Sequence, residues 1–190
     1  MSIYFATSNF HKVEEIRAIL RDYPIKIEQI NAKTEIQSED VEEVAKTSAF
    51  QIAREKAIAV IVEDTGLFIE ALNGFPGAYA SYVYKTICGN GILNLLEGAT
   101  NRRATFKSAV AYCSFREQPV SFLGAVSGTI SRGKKGLNGF GFDDIFEPDQ
   151  GAGKTFAEMT INEKNLYSQR AQAIRKFAEW YLYRLKIKIE

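Results

Sequence analysis

The first third of the chain alternates between short apolar runs and segments of helical periodicity, and this alternation constrains the fold more than any other feature. Residues 3–6 and 59–62 are apolar runs typical of buried strands, and residues 25–30 alternate as a strand does. Residues 13–20 and 40–59 carry apolar side chains three and four positions apart, as amphipathic helices do. Strands that alternate with helices predict an α/β fold.

The middle of the chain is rich in β-forming residues. Residues 103–115 and 120–131 are two long stretches of aromatic and β-branched side chains, separated by a short segment that contains Pro119. This pair of stretches predicts a β-hairpin. Because the strands of a hairpin are antiparallel, their addition to the alternating strands predicts a mixed sheet.

Two further helices are expected towards the C-terminus. Residues 92–96 predict a short helix, and residues 160–185 predict one long helix. Thr160 is followed three residues later by Glu163, which is a capping-box pattern at the start of the long helix. The chain has no internal repeat, low-complexity tract or linker, so we expect residues 1–190 to form a single domain.

Composition and charge exclude several classes of partner. The 24 basic and 23 acidic side chains give a net charge of +1, which argues against a broad nucleic-acid surface. No apolar run approaches the roughly 18–20 residues that span a bilayer, and the N-terminus lacks a signal-peptide pattern. Cys88 and Cys113 have no metal or redox spacing, so we expect buried thiols in a reducing compartment. These features predict a cytoplasmic protein with no membrane or nucleic-acid partner.

The loop after the first predicted strand is a candidate phosphate site. It delivers small and polar residues to a helix N-terminus, where unpaired N–H groups and the helix dipole favour an anion. Lys12 adds a point charge suited to phosphate. The alternative is a turn in which Ser8 or Asn9 only caps the helix, and the spacing is not that of a Walker A loop. The loop consists of Thr7, Ser8, Asn9, Phe10, His11 and Lys12.

A carboxylate at the end of the third predicted strand is a candidate catalytic group. Asp64 lies at residues 63–66, where we expect Gly66 to form a tight turn that projects the carboxylate into a cleft. An ionised carboxylate in such a place needs an ion pair or a metal. The alternative is a surface turn in which the Asp64 side chain only makes an Asx hydrogen bond. The acidic residues 35–43 are expected to be mainly a solvated helix cap, although one of them could join Asp64 around Mg²⁺.

Two segments near the C-terminus could bind the rest of a nucleotide. In residues 139–144, aromatic rings alternate with glycine, which suits either a stacking platform for a base or a buried anchor for the loop. In residues 164–170, polar side chains recur at helical spacing, which suits either a binding face or an exposed polar face. Because His11 is the only histidine, neither a Ser-His-Asp triad nor a histidine-based zinc site is available. Hydrolysis would rely on carboxylates, lysines and a hard metal ion.

Taken together, these segments resemble the inosine triphosphate pyrophosphatase family, which acts on non-standard purine nucleoside triphosphates. Each motif is weak alone, but their order along nearly the whole chain is specific. The motifs are Thr7-Ser8-Asn9 with Lys12-Val13-Glu14-Glu15, Glu63-Asp64-Thr65-Gly66-Leu67, Gly74-Phe75-Pro76-Gly77, Gly139-Phe140-Gly141-Phe142-Asp143, Thr155-Phe156-Ala157-Glu158-Met159, and Glu163-Lys164-Asn165 with Ser168 and Arg170.

The resemblance implies a fold, a reaction and an assembly. The fold is an elongated mixed β-sheet with flanking helices that form two lobes around a central cleft. The reaction is the Mg²⁺-dependent hydrolysis of inosine, deoxyinosine and xanthosine triphosphates to the monophosphate and pyrophosphate, which cleanses the nucleotide pool. The assembly is a homodimer.

The resemblance also implies residue roles. Asp64 would activate the attacking water and bind Mg²⁺ together with Glu35. The loop from Thr7 to Lys12 would hold the phosphates, and Phe140 would stack on the base. The remaining substrate contacts would be Thr65, Gly141, Phe142, Asp143, Lys164, Gln169 and Arg170, with Gln169 and Arg170 reading the base edge.

Two positions depart from the family pattern. Gln169 stands where the family usually has histidine, and an amide cannot carry the positive charge of an imidazole. Asp144 stands where the family usually has proline, which adds a charge to the aromatic loop. Two other functions stay open from sequence: a related pyrophosphatase for pyrimidine or modified nucleotides, and a nucleotide- or RNA-binding module without turnover.

Overall fold

The N-terminal part of the protein is a parallel three-stranded unit. The computed structural model describes residues 2–32, 34 and 36–187. Strand β1 (Ser2–Ala6) pairs in parallel with β2 (Lys26–Ile30) on one side and with β3 (Val60–Ile69) on the other. Helices α1 (Phe10–Ile19) and α2 (Val41–Lys56) make the two crossovers. The predicted alternation of strands and helices is confirmed.

The C-terminal part of the sheet is antiparallel. Strands β5 (Arg103–Cys113) and β6 (Val120–Ile130) form the predicted hairpin, and β5 pairs with β3 along the whole length of β3. The short strands β4 (Pro76–Gly77) and β7 (Phe146–Pro148) add to β3 and β6. Among the described residues, the sheet has seven strands in the order β2-β1-β3-β5-β6-β7, with β4 beside β3. The prediction of an α/β fold with a mixed sheet is therefore confirmed.

The expectation of a tight turn at residues 63–66 is wrong. Strand β3 continues through these residues to Ile69 because its partner β5 provides a pairing residue at every position. Gly66 serves a different purpose. A Cβ atom at Gly66 would lie 2.7 Å from the carbonyl oxygen of Gly77, so this glycine allows β4 to approach β3.

The single C-terminal helix is also a wrong prediction. The structure divides it into α4 (Ile161–Asn165) and α5 (Gln169–Ile187). The capping box is confirmed at the start of α4, where Thr160 accepts from the backbone N–H of Glu163 and Glu163 accepts from that of Thr160. Polar side chains recur at helical spacing across the break, so the pattern alone could not reveal it.

Helix α3 (Ala80–Leu95) corrects two further expectations. It contains the predicted residues 92–96 only in its last turn, and it is kinked at Cys88, whose φ is +54°. Cys113 is buried as expected, but Cys88 is exposed. The kink explains the difference, because it interrupts the helical positions that apolar periodicity would place against the core.

The apolar core lies on both faces of the sheet and holds α1 and α5 together. Ile3 and Phe5 of β1 pack with Val13 and Ile16 of α1, and Phe177 of α5 joins the same cluster. These contacts bring the N-terminus of α1 towards the N-terminus of α5. Among the described residues, no helix is long and apolar enough to cross a membrane.

Candidate active site

The loop from Thr7 to Lys12 forms the N-terminal cap of α1. The side-chain Oδ1 atom of Asn9 accepts hydrogen bonds from the backbone N–H groups of His11 (3.0 Å) and Lys12 (3.4 Å). The N–H of Asn9 donates to the Thr7 hydroxyl at 3.1 Å, while Ser8 is exposed. Asn9 is therefore the cap, as one reading of the sequence predicted. The phosphate role of this loop stays a prediction.

Lys12 connects the first turn of α1 to strand β3. Its Nζ atom lies 2.8 Å from Oε2 of Glu63 and donates to the backbone carbonyl oxygen of Glu63 at 3.1 Å. The lysine remains partly exposed, whereas the Glu63 side chain is fully buried. One side of Lys12 is thus neutralised from within the protein, and its other side faces the solvent.

Five buried charged side chains form an ion-pair network beneath this region. Lys164 lies 2.7 Å from Oε1 of Glu15 and 2.6 Å from Oδ2 of Asp143. Arg170 donates through Nε to Glu63 at 3.1 Å and through Nη1 to Glu15. We call these five residues, Glu15, Glu63, Asp143, Lys164 and Arg170, the ion-pair network.

Most members of the ion-pair network are held in their charged form. Burial alone raises the pKa of a carboxyl group, but Arg170 and Lys164 hold the pKa of Glu15 below its usual value. Burial is likewise outweighed at Glu63, where the charge of Arg170 lowers the pKa. The two glutamates raise the pKa of Arg170 despite its burial. Asp143 differs, because burial raises its pKa in spite of Lys164.

Asp64 follows Glu63 along β3 but has a different environment. Burial raises the pKa of Asp64 to about 6, although the charge of Lys12 acts in the opposite direction. Its Oδ2 atom is buried and accepts no hydrogen bond from the described residues. An unpaired carboxylate oxygen is costly, and a hard cation that prefers oxygen ligands would satisfy it. Asp64 therefore fits a magnesium ligand.

The second carboxylate of the expected metal pair, Glu35, lies outside the described residues. Within residues 2–32, 34 and 36–187, no three histidine, cysteine, aspartate or glutamate side chains form a metal cluster. Asp40 caps α2 by accepting from the N–H of Glu42 at 2.8 Å, which confirms the cap expected for the acidic segment.

Phe140 presents a half-buried ring at the edge of the ion-pair network. Lys164 Nζ lies 5.1 Å from its ring centroid and Arg170 Cζ lies 5.4 Å from it. The His11 ring stacks on it with centroids 5.3 Å apart and an angle of 13° between planes. We call Asp64, Phe140 and the loop from Thr7 to Lys12 the outer site.

The backbone around Phe140 is fixed by glycine geometry and by Asp143. The N–H of Phe140 donates to Oδ2 of Asp143 at 2.9 Å. Gly139 has φ +73°, and a Cβ atom there would lie 2.3 Å from the same Oδ2 atom. Only glycine combines this conformation with this contact. Gly139 therefore does not loosen the loop, since it allows the Asp143 carboxylate to hold it.

Comparison with known proteins agrees with this arrangement. A model of the Ham1 family matches residues 3–180. The chain belongs to the Ham1 family. It is 47% identical over 182 residues to the dITP/XTP pyrophosphatase of Methanopyrus kandleri, covering 95% of this chain and 96% of the relative. It is 46% identical to the dITP/XTP pyrophosphatase of Pyrococcus horikoshii, covering 98% and 100%. The family predicted from the motifs is confirmed.

Solved structures of Ham1 proteins share the fold. The Ham1 protein of Staphylococcus aureus superposes with a TM-score of 0.84 at 29% identity, covering 97% of this chain and 100% of that one. The HAM1 protein of Coxiella burnetii also gives a TM-score of 0.84, at 28% identity, covering 96% and 99%.

In this Ham1 chain, several predicted site residues do come together. The Thr65 hydroxyl accepts from Arg170 Nη2 at 3.3 Å and donates to Glu63. Lys164 and Arg170 meet at Glu15, but from separate helices and not from one helical face as predicted. Gln169 is buried, and its Oε1 atom has no partner among the described residues.

Other predicted site residues are placed differently. Phe142 is buried in the core and packs edge-on against Tyr84 with centroids 5.2 Å apart, so it is the loop anchor and offers no stacking face. The expected contact of Phe142 with the substrate stays a prediction. Ser8 and Phe10 are exposed. Asp144 forms an ion pair with Lys134 at 3.2 Å, so its extra charge is paired.

The sequence reading missed Glu15 and Glu63 as functional residues. Glu15 had a usable signal, because it lies between the buried Val13 and Ile16 and follows Lys12 by three positions. Glu63 had none beyond its place in a buried strand. The burial of Lys164 and Arg170 was also unexpected.

Proposed function

We propose that this protein hydrolyses inosine, deoxyinosine and xanthosine triphosphates to the monophosphate and pyrophosphate. The observation that carries this proposal is Asp64, a carboxylate with an unpaired buried oxygen beside Lys12. A triphosphate in this place would find a cation, a proton acceptor and a stacking ring within one site. The names of the relatives from Methanopyrus kandleri and Pyrococcus horikoshii support the same reaction.

The phosphates bind at the loop from Thr7 to Lys12 in this proposal. The first turn of α1 presents backbone N–H groups and the positive end of the helix dipole to an anion. Lys12 approaches them with its solvent-facing side, while Glu63 holds its Nζ atom in position. Lys12 thereby offsets the charge that develops on the departing pyrophosphate.

Asp64 acts on the attacking water. Its carboxylate accepts a proton from the water as the water oxygen bonds to the α-phosphorus. The bond from the α-phosphorus to the bridging oxygen breaks, and pyrophosphate leaves with that oxygen. Mg²⁺, held by Asp64 and Glu35, would supply charge neutralisation for the phosphates.

The base stacks on Phe140 and its polar edge meets Gln169. A 6-oxopurine carries an N1–H donor beside the O6 acceptor, and a buried amide offers both complementary groups. The unpaired Oε1 of Gln169 suits the N1–H group. If the amide keeps this orientation, adenine would place its N1 acceptor against Oε1 and its amino group against Nε2, which disfavours adenine. Asp143, Lys164 and Arg170 hold Phe140 from within the protein.

The proposal also includes the domain organisation, the cellular location and the assembly of the protein. The chain acts as one catalytic domain, and it works in the cytoplasm, where the thiols of Cys88 and Cys113 stay reduced. The active form is a homodimer. The exposed apolar side chains Tyr82, Ile87 and Leu95 on α3 support a contact with a second copy. The mass of the protein in solution, measured by light scattering, tests the dimer.

A panel of triphosphates tests the reaction. With Mg²⁺, we expect pyrophosphate from inosine, deoxyinosine and xanthosine triphosphates, and much less from adenosine or pyrimidine triphosphates. Release of orthophosphate would contradict the assigned reaction. A preference for pyrimidine nucleotides would indicate the related hydrolase, and Mg²⁺-independent binding without product would indicate a binding module.

A further inference from the structure

The His11 ring occupies the face on which the base is proposed to stack. Its centroid lies 5.3 Å from that of Phe140, and the planes are inclined by 13°. This geometry is within the range of offset aromatic stacking. Two rings in stacking contact leave no space for a third ring between them. A base can therefore reach this face of Phe140 only after His11 has moved.

His11, and not Phe140, is the partner that can move. The N–H of Phe140 is bonded to Asp143, which is itself bonded to Lys164 at 2.6 Å. The His11 side chain is 57% exposed in the first turn of α1. Its Nδ1 atom lies 3.8 Å from a carboxylate oxygen of Glu14. An exposed side chain with one distant charged partner can change rotamer at little cost.

We propose that His11 determines nucleotide affinity by occupying the base-stacking position of Phe140 in the nucleotide-free protein. A purine base binds by displacing the imidazole. This inference rests on the proposed function, which assigns the base to Phe140. Only the fraction of molecules with an uncovered Phe140 ring can bind the base, so the stack weakens apparent affinity by that fraction. Both the bound substrate and the transition state require the uncovered ring, so the stack raises KM.

The KM of His11 variants distinguishes two cases. Displacement predicts a lower KM when the imidazole is removed, whereas a favourable contact of His11 with the bound substrate predicts a higher KM. With inosine triphosphate and Mg²⁺, we expect His11→Ala to lower KM roughly 2- to 10-fold, as the loss of one aromatic stack implies. His11→Phe keeps a stacking ring, so its decrease in KM should be much smaller than that of His11→Ala. Arg17→Ala, an exposed change on the same helix, is the control. A KM that rises or stays constant in His11→Ala would overturn the proposal.

Proton NMR gives a second readout, because the chain contains one histidine. In protein without a histidine tag, the Cε1 proton of His11 should resonate upfield through the ring current of Phe140, and Phe140→Leu should abolish that shift. Saturation with inosine monophosphate should move the signal downfield as His11 leaves the ring. A further upfield movement would mean that the base lies between two rings, and no movement would mean that His11 stays in place. Either result overturns displacement.

The two proposals fail in different ways. If no triphosphate yields pyrophosphate, the proposed function is wrong, while the position of the His11 signal still reports the stack with Phe140. If the wild type yields pyrophosphate but His11→Ala binds the substrate more weakly, the function stands and displacement is wrong.

Discussion

The ion-pair network and the outer site are neighbours that satisfy their polar groups in different ways. In the ion-pair network, Glu15 and Glu63 each meet cationic side chains within the protein. In the outer site, Asp64 has a buried oxygen without a partner among the described residues, and the Phe140 ring is stacked by the exposed His11. The comparison shows that polar groups are held in position where their partners lie within the protein. A polar group without such a partner remains available to a ligand.

The largest effect should come from the outer site. Asp64→Asn removes the proton acceptor and the proposed metal ligand, so we expect kcat for inosine triphosphate to fall roughly 10³-fold. The free energy of unfolding should not decrease, since the change removes a buried charge with a raised pKa. Pyrophosphate release and urea unfolding measure the two quantities. If Asp64→Asn keeps more than a tenth of the wild-type activity, Asp64 does not have its proposed role in the mechanism.

In the ion-pair network, we expect a substitution to lower the free energy of unfolding more than it affects kcat. Arg170→Met leaves Glu15 and Glu63 buried without their shared cation, which should cost about 3–5 kcal/mol in the free energy of unfolding. Lys176→Met, an exposed change on the same helix, should alter it by less than about 0.5 kcal/mol. Urea unfolding of both variants checks this. Equal losses in the two variants would mean that the network contributes no special stability.

The link between the two regions can be weakened at Gly139. Gly139→Ala places a methyl group at φ +73° and 2.3 Å from Oδ2 of Asp143, so Phe140 must shift. We expect a loss of about 1–2 kcal/mol in stability and a severalfold rise in KM. Gly153→Ala is the matched control, because it has φ +82° and no atom within 4 Å of the added Cβ. Gly153→Ala should lower the stability and leave KM unchanged. If Gly139→Ala and Gly153→Ala have similar KM values, the ion-pair network does not position Phe140 for the base.

The smallest expected effect is a difference between Asp64 and Glu63 in how they make the stability of the protein depend on pH. The folded-state pKa of Asp64, about 6, exceeds its ordinary 3.8, so the folded protein binds this proton more tightly than the unfolded chain does. Relative to Asp64→Asn, metal-free wild type should lose about 1 kcal/mol of stability as the pH rises from 5 to 7, with no further change above. Glu63 has a lowered pKa, so its stabilisation is present above its ordinary pKa and disappears only in acid.

Urea unfolding of wild type and Asp64→Asn at several pH values, with a chelator present, measures this difference. Glu63→Gln provides the opposite sign, because it should be less stable than wild type throughout the neutral range. If Asp64→Asn and wild type differ by a constant amount at every pH, the carboxyl group of Asp64 has an ordinary pKa.

Local patterns predicted most of the fold. Strands β1, β5 and β6, helices α1 and α2, and the capping box of Thr160 and Glu163 all depend on residues near each other in sequence. The break between α4 and α5 and the continuation of β3 depend on distant partners, so periodicity did not show them. Gly66 and Gly139 illustrate the limit, because each glycine is required by a contact and not by a turn.

The candidate site was predicted as a set of residues but not as an arrangement. The motifs named Asp64, Phe140, Lys164 and Arg170, while the pairing of Lys164 with Glu15 joins residues 149 positions apart. No local pattern contains such a contact, and a buried lysine runs against the usual expectation for its residue type. The stack of His11 on Phe140 was hidden for the same reason.

The separation of Glu15 from its cations has a consequence for biosynthesis. Glu15 and Glu63 are synthesised long before Lys164 and Arg170. Until Lys164 and Arg170 emerge from the ribosome, both glutamates lack these cations, so their burial is unfavourable. The ion-pair network should therefore assemble only after residue 170 has left the ribosome.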